Sequence, residues 1–386
     1  MATPPSGCAG SAIHDNAAMR PVPDPMLAAL ALAAQAMTLS NPNPRVGCVL
    51  TDSSGRVLGQ GHTQQAGGPH AEIMALRDAA ALGRSVAGAT AWVTLEPCSH
   101  HGRTGPCCDA LAAAGIGKLV ASLADPNPLV AGQGFERLRA AGIDVQVGPG
   151  ARESRELNIG FFSRMVRKTP WVRIKVAASL DGTTALENGA SQWITADAAR
   201  ADGHAWRARA DAVLTGIGTV LEDDPQLDVR LVAATRQPHL VVIDSRLQTP
   251  LDAKLFRPAR QLFIYHAESD PARQAALEAR GATLICLPGP GGKVDLAAML
   301  RDLAVREVNE VHVEAGSKLN GSLVREGLVD EFLVYLAPKL LGPGRDMAAI
   351  GPLHTLGEAV ALQFLAGEMV GSDLRIVARV AGRDSF

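Results

Sequence analysis

Pro69-His70-Ala71-Glu72, a strand-like stretch from Thr90 to Leu95, then Glu96-Pro97-Cys98 and finally Gly105-Pro106-Cys107 are the segments on which the first half of the chain turns. His70, Cys98 and Cys107 offer one imidazole and two thiolates, a donor set suited to Zn²⁺. Three protein ligands leave the fourth tetrahedral position to water, whose pKa the metal lowers toward neutrality. Glu72, two residues beyond His70, is placed to take a proton from that water and pass it to a ring nitrogen and a departing amine. This is the H-x-E plus P-C-x-x-C pattern of zinc nucleobase deaminases, except that eight residues separate the two cysteines. His70 and Cys98 are both expected where a helix is about to start, and Cys107 in the first turn of a helix, positions that favour thiolate. Two plainer readings stay open: ordinary buried cysteines, or a structural zinc whose fourth ligand is Cys108, His100 or His101.

Working outward, Asp24 to Leu39 is Ala- and Leu-rich at helical spacing, with Asp24 as N-cap and Pro25 at the first helical position. Arg45 to Leu50 and Val57 to Gly61 read as strands around an Asp52-Ser53-Ser54-Gly55 turn, and Gly67-Gly68-Pro69 as a loop delivering His70. Ala71 to Leu82 is predicted helical with Ile73, Leu76 and Ala80 on one face; a second helix begins near Pro106 and closes at Gly115, ahead of a strand from Lys118 to Ala124. The alternation indicates α/β architecture with a mostly parallel sheet covered on both faces. Past Val147 the pattern loosens, with one charged helix candidate at Glu153 to Leu157, and the domain boundary is placed near residue 165. Beyond it strands are expected at Trp171 to Ala178, Ala212 to Gly216, Leu240 to Asp244, Leu262 to Tyr265, Thr283 to Leu287, Glu310 to Glu314 and Glu331 to Leu336. Helices at Ala196 to Arg209, Pro271 to Arg280, Leu296 to Val305 and Gly321 to Glu326 separate most of them, making a second α/β domain. The division is thus a disordered tail over 1–23, a first domain over 24–165 and a second over 166–386.

Composition narrows the function. With 386 residues the chain suits two domains, and 47% apolar with 20% charged residues suits folded cores rather than disorder. A formal net charge of −2 and the absence of a basic run argue against a general nucleic-acid binder and favour a small-molecule substrate. The first two dozen residues have no apolar signal-peptide core, and no later stretch is long and apolar enough to span a bilayer, so no membrane association and a cytoplasmic location are expected. Six cysteines are too few for a disulfide scaffold, and the cluster from Cys98 to Cys108 points instead to metal or catalysis.

Asn41-Pro42-Asn43-Pro44-Arg45-Val46-Gly47, Pro69-His70-Ala71-Glu72, Glu96 to Thr104 and Asp125-Pro126-Asn127-Pro128 together resemble the deaminase/reductase family of riboflavin biosynthesis, whose deaminase motif carries the same long cysteine spacer. One departure is Gly105-Pro106 where the family usually has Pro-Pro; no ligand is lost. The resemblance implies a cytidine-deaminase-like, three-layer α/β/α zinc domain with one Zn²⁺, followed by a dihydrofolate-reductase-like α/β domain using NADPH. It further implies removal of the 2-amino group of a diaminopyrimidinone bearing a ribosylamino 5′-phosphate, then reduction of the ribosyl chain. Arg103 in the ligand loop is a candidate phosphate contact, and Asn43 a candidate for pairing with the ring edge.

In the second half, Lys175 to Gly182, Ser191-Gln192-Trp193-Ile194-Thr195, Gly216 to Val220, Asp223-Asp224-Pro225, Leu227, Arg230 and Glu314-Ala315-Gly316-Ser317 fall in the family's order. By that resemblance Ala177, Trp193, Thr195, Thr219 and Asp223 contact NADPH, and Ser191, Arg207, Leu227, Arg230 and Glu314 hold the substrate. The small-residue run Gly316, Ser317, Lys318, Leu319, Asn320, Gly321 and Ser322 would let backbone N–H groups approach the cofactor's diphosphate at a helix N-terminus. Lys175 is the candidate acid or base at the sugar's first carbon. Other readings remain: a base-editing deaminase acting on tRNA or DNA, which calls for a basic, aromatic-lined groove; a non-catalytic zinc-stapled protein; and an active deaminase with a degenerate reductase half. A homo-oligomer, dimer or tetramer, is expected from base rates.

Overall fold

Asp24 starts the first helix as predicted. In the computed structural model, which describes residues 24–100, 105–128 and 130–386, the Asp24 carboxylate accepts the N–H groups of Met26 at 2.9 Å and Leu27 at 3.1 Å. Two otherwise orphaned donors are thereby satisfied, and Pro25 occupies the position that needs no N–H. The expected tail over 1–23, together with His101 and Arg103, lies outside the described residues.

Residue contacts group the chain into one unit comprising the described residues to Ala36 with Arg45–Leu157, and another comprising Met37–Pro44 with Asn158–Phe386. The first unit contains α1 (Pro25–Gln35), β1 (Gly47–Thr51), β2 (Val57–His62), α2 (Ala71–Ala81), β3 (Thr90–Val93), α3 (Cys107–Ala113), β4 (Lys118–Ala121), α4 (Gln133–Ala140), β5 (Asp144–Val147) and α5 (Ala151–Leu157). Its sheet runs β2-β1-β3-β4-β5. The first two pairings are antiparallel and the last two parallel, so the sheet is mixed rather than mostly parallel: the tight turn at Asp52 to Gly55 makes a hairpin, and only crossover helices produce parallel neighbours.

Side chains on the two sheet faces explain the layers. Val49 packs with Met26, Ala29 and Leu30 of α1, while the opposite face, carrying Gly59 and Gly61, lies against α2. A Cβ on Gly59 would sit 2.3 Å from the Ala75 carbonyl oxygen, and one on Gly61 would sit 2.4 Å from the Met74 Cβ. Only glycine on the strand and alanine on the helix permit this approach, which is why α2 buries Ala71, Ala75 and Ala79 and not the predicted Ile73, Leu76, Ala80 face. His70 and Glu72, at the start of α2, inherit their position from that contact.

Glu96 sets the other side. Its buried carboxylate accepts backbone N–H groups from Asp125 at 3.1 Å, Gly132 at 2.9 Å, Gly134 at 2.9 Å and Phe135 at 3.3 Å. One charge thus ties the segment after β4 and the start of α4 to the residue two before Cys98. Arg137 on α4 extends the tie by donating to the Ser99 carbonyl at 3.1 Å and to Asp109 on α3 at 2.8 Å.

The second unit contains α6 (Ile159–Arg167), β6 (Trp171–Ser179), β7 (Ala185–Leu186), α7 (Asp197–Arg209), β8 (Ala212–Gly216), α8 (Ile217–Asp223), β9 (His239–Ile243), β10 (Leu262–His266), α9 (Pro271–Glu278), β11 (Ala282–Cys286), α10 (Leu296–Val305), β12 (Glu310–Val313), α11 (Ser317–Arg325), β13 (Glu331–Ala337), β14 (Gly344–Arg345), β15 (Leu362–Val370) and β16 (Asp373–Val380). Nine strands form the sheet β11-β10-β9-β8-β12-β6-β13-β16-β15, parallel except for the last two pairings. A division at 165 falls inside α6. This helix belongs to the second unit because Gly160 abuts Asn309 and Glu310, and Phe162 packs against Phe386. Among the described residues no helix is long and apolar enough to cross a membrane.

Replacing Glu96 by Gln keeps the shape but swaps an acceptor oxygen for an amide that opposes N–H groups. Losing charge-assisted bonds worth roughly 1.5–3 kcal/mol each should raise amide exchange at Gly132, Gly134 and Phe135 at least about tenfold. Unchanged protection at those amides would show that another contact holds the segment.

Candidate active sites

In the first unit the Nδ1 of His70 lies 3.5 Å from the Cys98 sulfur and 3.4 Å from the Cys107 sulfur, and the three donor atoms all fall within 4.8 Å of one another. A tetrahedral zinc with nitrogen at about 2.0 Å and sulfur at about 2.3 Å separates such donors by roughly 3.6 Å, so this set fits the metal. His70 is the N-cap of α2 and Cys107 the first residue of α3, as expected. Cys98 differs from expectation, since no helix starts there. Its sulfur instead accepts the Cys107 backbone N–H at 3.3 Å, so the thiolate is stabilised by the N-terminus of α3 rather than by one of its own.

The electrostatics favour a dication. Hydrogen bonding from Cys107 holds the Cys98 thiol down to about 4, and the same bond, with burial, pushes the Cys107 thiol well up, so that two sulfurs share one proton. A divalent cation among them replaces that proton and stabilises both thiolates. The Glu72 carboxyl, in the first turn of α2 and 3% exposed, is pushed up to about 7 by burial, with the Cys98 charge adding to the effect. Cys108 is buried and its sulfur points to Asp109 at 3.7 Å, while His100 is exposed; neither joins the His70, Cys98 and Cys107 cluster. Asn43 lies in the segment grouped with the second unit, its N–H donated to the Ser40 carbonyl at 2.9 Å.

The second unit holds a cleft of about 570 Å³. Lys175 and Ala177 reach it from β6, Ser191, Trp193 and Thr195 from the segment after β7, and Arg207 from α7. Thr219 and Asp223 come from α8, Leu227 and Arg230 from the segment following it, Glu314 from the end of β12, and Gly316, Ser317 and Asn320 from the start of α11. Lys318, Leu319, Gly321 and Ser322 do not line it: Leu319 packs on the core, Gly321 abuts Ala349, Lys318 is exposed and Ser322 donates to the Lys318 carbonyl. Helical geometry explains the split, since only one face of α11 can look into the cleft.

Charge is concentrated at the cleft floor. Arg207 forms a two-pronged bond to Glu314, at 2.6 and 3.0 Å, and also donates to the Asp228 carbonyl. Burial alone would raise the Glu314 carboxyl, but Arg207 and Lys175 hold it well below the ordinary range. Burial pushes the Lys175 ammonium down, Glu314 opposing and Arg207 assisting. Arg230 pairs with Asp228 at 2.6 Å and keeps half of its side chain exposed, against 9% for Arg207. Arg230 is therefore the more available cation. The loop-fastening groups His204, Gln237 and Arg260 carried no motif signal, and Glu96, though inside a quoted motif, was given no role there; the partners of all four are backbone groups, which no side-chain pattern marks.

Comparison with known proteins finds a family model for each unit. Residues 23–123 match the family model described as the cytidine and deoxycytidylate deaminase zinc-binding region, and residues 170–375 match the RibD C-terminal domain. The riboflavin biosynthesis protein RibD of Escherichia coli is 45% identical, over 90% of this chain and 96% of its own; that of Aquifex aeolicus is 38% identical, over 91% and 96%. Among solved structures, Acinetobacter baumannii RibD superposes with a TM-score of 0.84 at 37% identity, covering 92% of this chain and 98% of its own. A Thermotoga maritima protein described as a diaminohydroxyphosphoribosylaminopyrimidine deaminase/5-amino-6-(5-phosphoribosylamino)uracil reductase does so with a TM-score of 0.82 at 32% identity, over the same shares. A zinc-type donor triad on one unit, a charged cleft on the other, and identity running through both place the chain in the RibD family of riboflavin biosynthesis proteins.

Proposed function

We propose that the chain is a bifunctional riboflavin-biosynthesis enzyme whose first unit hydrolyses the 2-amino group of 2,5-diamino-6-(5-phosphoribosylamino)pyrimidin-4(3H)-one and whose second unit reduces the product's ribosyl chain with NADPH. The observation that carries it is the gathering of His70, Cys98 and Cys107 donors within 4.8 Å beside the buried Glu72.

Zinc held by His70, Cys98 and Cys107 supplies an activated water when bound. Glu72 would carry one proton from the attacking water to the ring nitrogen and the second from the new hydroxyl to the amine, so that the C–N bond breaks as C=O forms and ammonia departs. Its near-neutral basicity suits both directions. Arg103 is assigned to the substrate's phosphate.

In the reductase half NADPH supplies a hydride to the sugar's first carbon. Ala177, Trp193, Thr195, Thr219, Asp223, Gly316, Ser317 and Asn320 would hold the cofactor. Ser191 and Arg230 hold the 5′-phosphate, and Leu227 the substrate's apolar face. Because Arg207 is engaged by Glu314, its part is to orient that carboxylate and the Asp228 backbone. Lys175, short of water and flanked by Glu314, would give its proton to the ring oxygen as the bond from that oxygen to the first carbon breaks and that carbon is reduced. We assign residues 24–36 and 45–157 to the deaminase, and residues 37–44 with the chain from Asn158 on to the reductase.

Two copies associate through β15. This strand ends the sheet, and Leu353, Leu356, Val360, Leu362, Phe364, Leu365 and Met369 are exposed along and before it, Leu356 at 96% and Phe364 at 75%. An open apolar edge of this kind pairs with its own copy about a twofold axis.

Mass spectrometry of the diaminopyrimidinone phosphate with the zinc-replete protein should show amino-to-oxo exchange without NADPH and a gain of two hydrogens only with it. Glu72→Gln should keep one zinc per chain and lower deamination at least about a hundredfold, the low end for a lost general base; full turnover in that variant overturns the assignment of Glu72. By sedimentation the wild-type chain should run as a dimer or larger assembly and Phe364→Glu as a smaller species; a wild-type monomer rules out the β15 contact.

A further inference from the structure

Arg230 is offered to the cleft by a segment that has almost no regular structure, yet its backbone is fastened at residue after residue. Arg260 donates to the Leu227 carbonyl at 2.5 Å and also to the Gln226 carbonyl. Arg207 donates to the Asp228 carbonyl. The Gln237 amide accepts the Val229 N–H at 2.7 Å and donates to the Val229 carbonyl at 2.9 Å. The last fastening is at Arg230 itself, whose backbone N–H donates to the Nδ1 of His204 at 3.1 Å. Leu227, near the head of this run, sits at φ 50°, a left-handed conformation costly for a branched side chain and held only by its surroundings.

His204 is 5% exposed and lies on α7 one turn before Arg207. We propose that His204 is a positioning residue of the reductase, its Nδ1 fixing the backbone from which Arg230 reaches the substrate's phosphate. The inference rests on the reading of Arg230 given above. Acting as acceptor requires the imidazole to be neutral, with its proton on Nε2. The groups facing it are Arg207 on its own helix, Arg230 and Asp228 on the fastened segment, and Glu314 beyond β12; burial, with the two arginines, pushes the ring down to about 4. The acceptor is thus available throughout the neutral range.

An interior histidine that only packs would affect stability and all substrates alike. A positioning role predicts something narrower. Relative to wild type, His204→Ala should raise the KM for the phosphorylated reductase substrate roughly tenfold, the scale of one hydrogen bond, with kcat changed less than about twofold and deamination unaltered. Asparagine places an amide oxygen where Nδ1 stands and glutamine places one beyond it, so His204→Asn should recover the wild-type KM and His204→Gln should not. In an Arg230→Ala background the His204→Ala change should alter KM less than about twofold, because the group it positions is gone. The inference is overturned if Asn and Gln perform alike, if His204→Ala has the same effect with and without Arg230, or if KM does not move. Those outcomes are read against a wild-type enzyme that reduces the deaminated substrate with NADPH; a wild-type protein that does not do so overturns the reductase assignment itself.

Discussion

Arg173, in the middle of β6, carries a guanidinium with no access to water, and the second unit is built around that charge. Glu310 meets it at 3.0 Å from β12 on one side, and Glu331 at 2.5 Å from β13 on the other. Left unpaired, such a group would cost several kcal/mol, so the neighbouring strands can register only where those carboxylates arrive. Arg209 on Glu310 and Arg379 on Glu331, at 2.9 and 3.1 Å, extend the network, and Asp384 on Arg379 at 3.0 Å matches three carboxylates to three guanidiniums; the Trp206 ring lies over Arg173 with its centre 4.6 Å from the guanidinium carbon. Further along the same face come Lys175 and Glu314, already in the cleft. Between the two charge sets His312 is fully buried and pushed down to about 3 by burial, a neutral spacer. A one-residue slip would turn all of these groups into the apolar layer of Ile174 and Val176.

The first unit reaches its precision differently, through small residues and one carboxylate. Gly59 and Gly61 let α2 settle against β2, and Glu96 collects the N–H groups of a turn that would otherwise be unsatisfied. Between these two fixtures the three metal donors converge from a helix cap, a loop and the first turn of a second helix. The hydrogen bond between Cys98 and Cys107 holds one thiol down and pushes the other up, while burial pushes the Glu72 carboxyl up. None of these groups would be perturbed to this degree on an open surface.

Local order was legible wherever strand or helix was long and its ends were marked. The Asp24-Pro25 cap, the helices near Ala71, Pro271 and Leu296, and the strands near Trp171, Ala212 and Leu262 all stand within a few residues of expectation. The elements that carried no clear pattern have physical reasons for it. β5 alternates weakly because it is an exposed edge strand, α6 hides behind a region of loose polarity, and β15 and β16 form a hairpin whose outer strand is apolar on the surface and interrupted by a bulge. The periodicity of α2 pointed to the wrong face because its true partner is a pair of glycines, which leave no apolar signal. The reading as a nucleic-acid deaminase ends with relatives that match through both units.

By itself the sequence determined the metal-donor set and the family, because residue type and short spacing suffice where a helix cap delivers His70 with Glu72 in the turn that follows. Only the tertiary structure decided which arginine is the more exposed to the cleft. Motif order offered Arg207 and Arg230 alike, but Arg207 and Glu314, 107 residues apart in the chain, meet in a two-pronged bond that leaves Arg207 far less exposed than Arg230. His204 likewise meets Arg230 across 26 residues through a backbone N–H, a group every residue but proline possesses and no pattern of side chains can announce.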